Sequence, residues 1–137
     1  MAVLFCDLDG FKAVNDRLGH EAGDEVLKVV GASVRTAIRE GDVVGRYGGD
    51  ELLVVAADAD AEDAVLLAQR VRAAVREAAS EHGVDVTVGI AVYPRDGDTG
   101  AELMVAADQA MYRGKLRGPG NVMVAGESDP RTVSATA

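Results

Sequence analysis

Three groups of polar residues interrupt otherwise apolar or glycine-rich stretches of this chain. Asp7-Leu8-Asp9-Gly10 closes the apolar run Ala2 to Cys6, and Gly48-Gly49-Asp50-Glu51 sits between two β-prone runs. Asn15, His20, Gly23 and Asp24 precede or open an amphipathic stretch. Carboxylates gathered at one end of an apolar sheet repel one another unless cations or protons compensate, so the first two groups point to a magnesium site. The third offers amide, imidazole and carboxylate groups that suit the polar edge of a base. A carboxylate can accept from both the N1–H and the 2-amino group of guanine, a donor pair that adenine lacks. Each group also has an ordinary local use. Asp and Gly end strands in turns, Asp24 suits a helix N-cap or first turn, and paired glycines make hairpins.

The elements that must bring these groups together are legible as periodicities. Ala2 to Leu8 reads as a buried strand. From Asp24, Val26, Leu27, Val30, Val34, Ala37 and Ile38 recur at helical spacing, and Gly41 follows as a left-handed stop. Val43 to Tyr47 and Leu52 to Ala57 flank the Gly-Gly hairpin, and a second helix runs from about Ala61 to Ser80. Val84, Val86, Val88, Ile90 and Val92 alternate with Asp85, Thr87, Gly89 and Ala91, a strand with one bulky face and one small or polar face. Leu103 to Met111 forms a third helix, and Gly118-Pro119-Gly120 breaks the chain before a last strand near Asn121 to Ala125. The folded domain is expected over 1–125, with a frayed tail over 126–137.

This order predicts an α/β (α+β) fold with a ferredoxin-like βαββαβ core, a mixed and mainly antiparallel central sheet flanked by helices, and an added C-terminal helix and strand. With right-handed crossovers and the third strand inserted between the first two, the Gly48-Gly49 hairpin lies at the exit of the first strand. Asp7 and Asp9 then approach Asp50 and Glu51.

Composition narrows the function. With 137 residues and a net charge of −9 the chain is a single domain that repels duplex nucleic acid, though carboxylates holding a divalent cation still permit a nucleotide. The lone Cys6 lies in an apolar run and reads as a buried thiol in a reducing compartment. No apolar stretch approaches the ~20 residues that span a bilayer. With no leader-like N-terminus either, a cytoplasmic location without membrane contact in this chain is expected.

Several of these motifs together resemble the GGDEF family, the diguanylate cyclases that condense two GTP into cyclic di-GMP. They are Asp7-Leu8-Asp9-Gly10-Phe11-Lys12 with Asn15-Asp16, Gly19-His20 with Gly23-Asp24, and Arg46-Tyr47-Gly48-Gly49-Asp50-Glu51-Leu52. Val88-Gly89-Ile90-Ala91 and Ala107-Asp108-Gln109-Ala110-Met111-Tyr112 with Lys115 extend the resemblance to about Val124. It implies a palm-like fold and a magnesium site, with manganese an alternative ion, made by Asp7, the Leu8 carbonyl and Asp50. Asn15, His20 and Asp24 would hold the guanosine. Phe11 and Lys12, with the backbone amides after the first strand, would cradle the phosphates, and Lys115 would neutralise their outer end. Asp50 would accept the proton of the attacking 3′-hydroxyl, with Glu51 a further acid there. The resemblance also implies catalysis by a homodimer, an upstream sensory domain, and an inhibitory product site at Arg39 and Asp42.

Departures from the family pattern bear on activity. Leu52 replaces the usual Phe, and Pro119 stands where an arginine usually follows the phosphate-binding lysine, with Arg113 and Arg117 as the nearby substitutes. The family domain usually begins with a helix before the first strand, where this chain starts directly at that strand, and Arg46 would then lose its usual acidic partner. Two other readings compete. One is a catalytically weak domain that binds GTP or cyclic di-GMP and regulates a partner. The other is a haloacid-dehalogenase-like phosphatase with Asp7 as nucleophile, which expects Thr where Phe11 stands.

Overall fold

The computed structural model describes residues 1–126, so all but the first residue of the tail expected to fray lies outside the described residues. The chain runs β1 (Ala2–Asp9), α1 (Phe11–Leu18), α2 (His20–Ala37), β2 (Val43–Arg46), β3 (Glu51–Ala56), α3 (Ala61–Ala79), β4 (Asp85–Val92), α4 (Gly100–Leu116) and β5 (Val122–Val124). The sheet order is β2-β3-β1-β4-β5. The β2–β3, β3–β1 and β1–β4 pairs are antiparallel and β4–β5 is parallel. β3 is thus inserted between β1 and β2, and the hairpin falls at the exit of β1 as the sequence predicts.

Strand alternation sets which side chains face which layer. Leu4, Cys6 and Leu8 of β1, with Val86, Val88 and Ile90 of β4, point into the larger core shared with α2 and α3. Leu4 and Leu8 are essentially inaccessible to solvent, and each contributes roughly 1.5–3 kcal/mol through burial. Slipping β1 by one residue would expose that set, so the register holds firm and Asp7 and Asp9 are left on the opposite face. There Val3, Phe5 and Ala91 meet α4 in a second cluster. The small face of β4 is what admits this helix. A Cβ on Gly89 would collide with the Ala107 carbonyl and the Met111 amide.

Local chemistry explains the element ends. Asp60 and Asp63 form a reciprocal capping box at the start of α3, and Thr99 accepts from the Glu102 amide at the start of α4. Residues after Gly10, where the periodicities give no element, form α1, because Phe11 and Val14 are buried against α2 and the larger core. One expectation is corrected. Asp24 is not a cap, because α2 already begins at His20 after Gly19, whose φ of 91° only glycine adopts readily.

Candidate functional site

The site forms where β1 ends. Leu8 donates its amide to the Asp50 carbonyl at 2.9 Å, fixing the hairpin against the strand. Amide and carbonyl of one strand residue point to the same side, so the Leu8 carbonyl also faces the hairpin. Asp7 pairs in register with Glu51. The hairpin is closed by Tyr47 donating to the Glu51 carbonyl at 2.8 Å, and Phe5 supports Tyr47 edge-to-face with ring centroids 5.3 Å apart. Arg46 donates from Nε to Gly48 O and from Nη2 to Gly49 O, each at 3.0 Å. Gly48 leaves room for the Glu51 side chain: a Cβ there would fall on the Glu51 Oε1, which lies over the turn.

Asp7 is electrostatically uncomfortable. Burial raises its carboxyl, Lys115 partly opposes this, and the charges of Asp50 and Glu51 push it further, to about 6. One oxygen, Oδ2, meets the Lys115 Nζ at 3.3 Å, while Oδ1 is buried with no hydrogen-bond partner among the described residues. A carboxylate held so has affinity to spare for a cation. Among the described residues no three acidic, His or Cys side chains cluster as a metal cage. Two carboxylates and a backbone carbonyl nonetheless fit magnesium, which retains water and phosphate oxygens in its shell.

Asp9, expected to join Asp50 and Glu51, is committed elsewhere. It accepts from Lys115 Nζ at 3.0 Å, Thr87 Oγ1 at 2.7 Å and the Gly120 amide at 2.9 Å, tying β1 to β4 and to the turn before β5. Burial alone would lower the Lys115 ammonium, but the hydrogen bond to Asp9 and the charges of Asp7 and Asp9 leave it above its ordinary value. Lys115 is therefore a fixed cation at the mouth of the site. Arg117 turns to Met123 Sδ at 3.5 Å, and Arg113 has its Nε and Nη2 buried with no hydrogen-bond partner among the described residues.

The Phe11 ring is buried in the core, so only its backbone amide is free to meet a ligand. Gly10 precedes α1 with φ 82° and no side-chain cap, which leaves the first-turn amides of Phe11, Lys12 and Ala13 open to an anion. Asn15 on α1 rests against α2 at Gly23. His20 and Asp24 lie one turn apart on α2, both exposed, and Asp24 lines a cleft of about 430 Å³ with Leu27, Val44, Arg46 and Leu52. Cys6 is fully buried, and burial with the neighbouring Asp7 charge pushes its thiol up to about 12, which leaves it unreactive.

On the far side, Arg39 and Asp42 form a tight turn after α2. Asp42 Oδ2 accepts from the Arg39 amide at 3.2 Å and from its Nε at 3.5 Å, and Arg39 Nη2 reaches the Asp58 carbonyl at 3.2 Å. Arg39 also lines a cleft of about 360 Å³ with Asp63, Gln69 and Arg70 of α3. Arg70 is a second cation at this place that spacing along the chain did not reveal.

Fold and site define a class: a palm-like α/β domain that gathers carboxylates from a strand end and a glycine hairpin beside an open helix N-terminus. The family model for the diguanylate cyclase GGDEF domain matches residues 1–121, and the chain belongs to that family. It is 42% identical to diguanylate cyclase TpbB of Pseudomonas aeruginosa over 96% of its length, which is 32% of that relative. The crystal structure of the TpbB GGDEF domain superposes with a TM-score of 0.84 at 41% identity, covering 93% of this chain and 83% of that one. The GGDEF domain of DgcB from Caulobacter crescentus, in complex with c-di-GMP, superposes with a TM-score of 0.80 at 26% identity over 92% of this chain and 78% of that one. The family assignment sets aside the phosphatase reading of Asp7. No described helix is long and apolar enough to cross a membrane.

Proposed function

We propose that this domain condenses two GTP into cyclic di-GMP with release of pyrophosphate, two copies facing each other because each offers one nucleotide site. The observation that carries the reading is the buried, unpartnered Asp7 Oδ1, which feels the Asp50 charge at the strand end where the Leu8 amide donates to the Asp50 carbonyl. Asp7, the Leu8 carbonyl and Asp50 would hold magnesium, or manganese, which supplies charge neutralisation for the phosphates and the leaving group. Asn15, His20 and Asp24 bind the guanosine. The first-turn amides of α1, with Lys12, hold the phosphates, and Lys115 neutralises their outer end.

Asp50 accepts the proton of the 3′-hydroxyl of one GTP as that oxygen bonds to the α-phosphorus of the other. The bond from that phosphorus to the β-phosphate oxygen breaks, and pyrophosphate leaves. Glu51, lying over the turn, adds acid character beside it. A second such step with the roles exchanged closes the ring. Product returns to Arg39 and Asp42, with Arg70 across the same cleft: guanidinium groups pair bidentately with phosphate or the guanine Hoogsteen edge. That the GGDEF domain of DgcB is solved in complex with c-di-GMP supports product binding by a domain of this fold.

The alternative, a domain that binds GTP or cyclic di-GMP without efficient turnover, is favoured by one observation. Pro119 offers no cation, Arg117 is turned to Met123, and Lys115 is already paired with Asp7 and Asp9. The location is cytoplasmic in either reading, with an upstream sensory domain supplying the signal. Incubation of the purified domain with GTP and magnesium separates the two: cyclic di-GMP accumulates under the first and not under the second.

A further inference from the structure

A glycine inside a helix costs about 1 kcal/mol relative to alanine, yet α2 keeps Gly23 at a buried position in its first turn. The reason lies on the neighbouring helix. A Cβ at Gly23 would fall on the Asn15 Oδ1, and would stand 3.4 Å from the Phe11 Cζ, an ordinary contact. The Asn15 amide oxygen therefore occupies the room a side chain would take. With the oxygen lodged against α2, the amide NH2 is left for a ligand, since no hydrogen bond to another described residue engages it. Asp24, the next residue of α2, is exposed and lines the 430 Å³ cleft. Asn15 thus offers donors beside an acceptor-only carboxylate.

We propose that Gly23 is a positioning residue for base recognition. It fixes the orientation of the Asn15 amide so that its NH2 meets a purine acceptor while Asp24 accepts from N1–H and the 2-amino group. This rests on the guanosine site proposed above. The atom in the way of a Cβ is the end of a flexible side chain, so alanine at 23 displaces the Asn15 amide and leaves the helix backbone in place. Alanine is also the better helix former. Fold and recognition should therefore separate in one variant.

The test measures thermal stability, GTP KM and kcat, and direct GTP affinity by calorimetry for Gly23→Ala, Asn15→Ala and the double variant. Gly23→Ala is expected to melt no lower than wild type, with KM raised about tenfold, the worth of one hydrogen bond, and kcat little changed. In the Asn15→Ala background Gly23→Ala should add no further loss, because it acts only through that amide. A wild-type KM in Gly23→Ala overturns the proposal, as does a loss of equal size in the presence and absence of Asn15. Wild-type protein that binds no GTP removes the guanosine site itself and this inference with it.

Discussion

Asp7→Asn should make the metal-free domain more stable while abolishing its activity. The Asp7 carboxyl stands at about 6 in the fold against an ordinary 3.8. At 1.36 kcal/mol per tenfold change in proton affinity, the folded state holds the anion about 3 kcal/mol less well than the unfolded chain does. Because the folded value is the higher one, this group's stabilisation is fully present below about pH 4 and is lost as pH rises through about 6. Asn has nearly the same shape and no charge to desolvate. In chelator at pH 8, urea denaturation of Asp7→Asn should give a free energy higher by roughly 2–3 kcal/mol than wild type, with the gap vanishing near pH 4. The Lys115 contact at 3.3 Å is already counted, since Asp7 stays raised in spite of it. Magnesium should stabilise wild type and leave Asp7→Asn unmoved. If Asp7→Asn is less stable than wild type at pH 8 in chelator, Asp7 is a structural ion-pair partner of Lys115 and the argument for a cation site fails.

Other outcomes follow from single contacts. Arg46→Ala removes two guanidinium bonds to the hairpin carbonyls, so global stability should fall by about 1 kcal/mol or less while amide exchange at Tyr47 to Asp50 speeds markedly. Gly89→Ala places a methyl against the backbone of α4, and a drop of about 1–3 kcal/mol or more is expected in a thermal melt, with α4 loosened. Arg39→Ala should lower affinity for cyclic di-GMP in a calorimetric titration and relieve product inhibition without changing the initial rate; equal affinity would return Arg39 to its role in the turn with Asp42 and Asp58.

How legible these features are in the sequence depends on how local their causes are. β1, β4 and the hairpin show in alternation and paired glycines, because burial on fixed faces writes period two into the chain. Right-handed crossovers, with the third strand inserted between the first two, then bring Asp7 to the hairpin. α1 escapes detection because eight residues with only Phe11 and Val14 buried carry little periodic signal, and such a helix forms through its packing on α2. Asp24 resembles a cap only while Gly19 goes unrecognised as the break between α1 and α2. Asp9 is misplaced because its partners Lys115 and Gly120 lie 106 and 111 residues away. Arg70 joins Arg39 only through the packing of α3 on α2, and Gly23 reveals its purpose only once Asn15 is seen beside it.

The most direct test of the account is the product formed from GTP and magnesium by wild type and Asp50→Ala, resolved by chromatography over a range of protein concentrations. Asp50 contributes to the fold through its backbone carbonyl, which accepts from Leu8 at 2.9 Å and survives the substitution. Wild type should form cyclic di-GMP and pyrophosphate with specific activity rising with concentration, as facing domains require, and Asp50→Ala should form none while melting normally. Cyclic di-GMP from Asp50→Ala, or none from folded, GTP-bound wild type at high concentration, would contradict the proposed cyclase site.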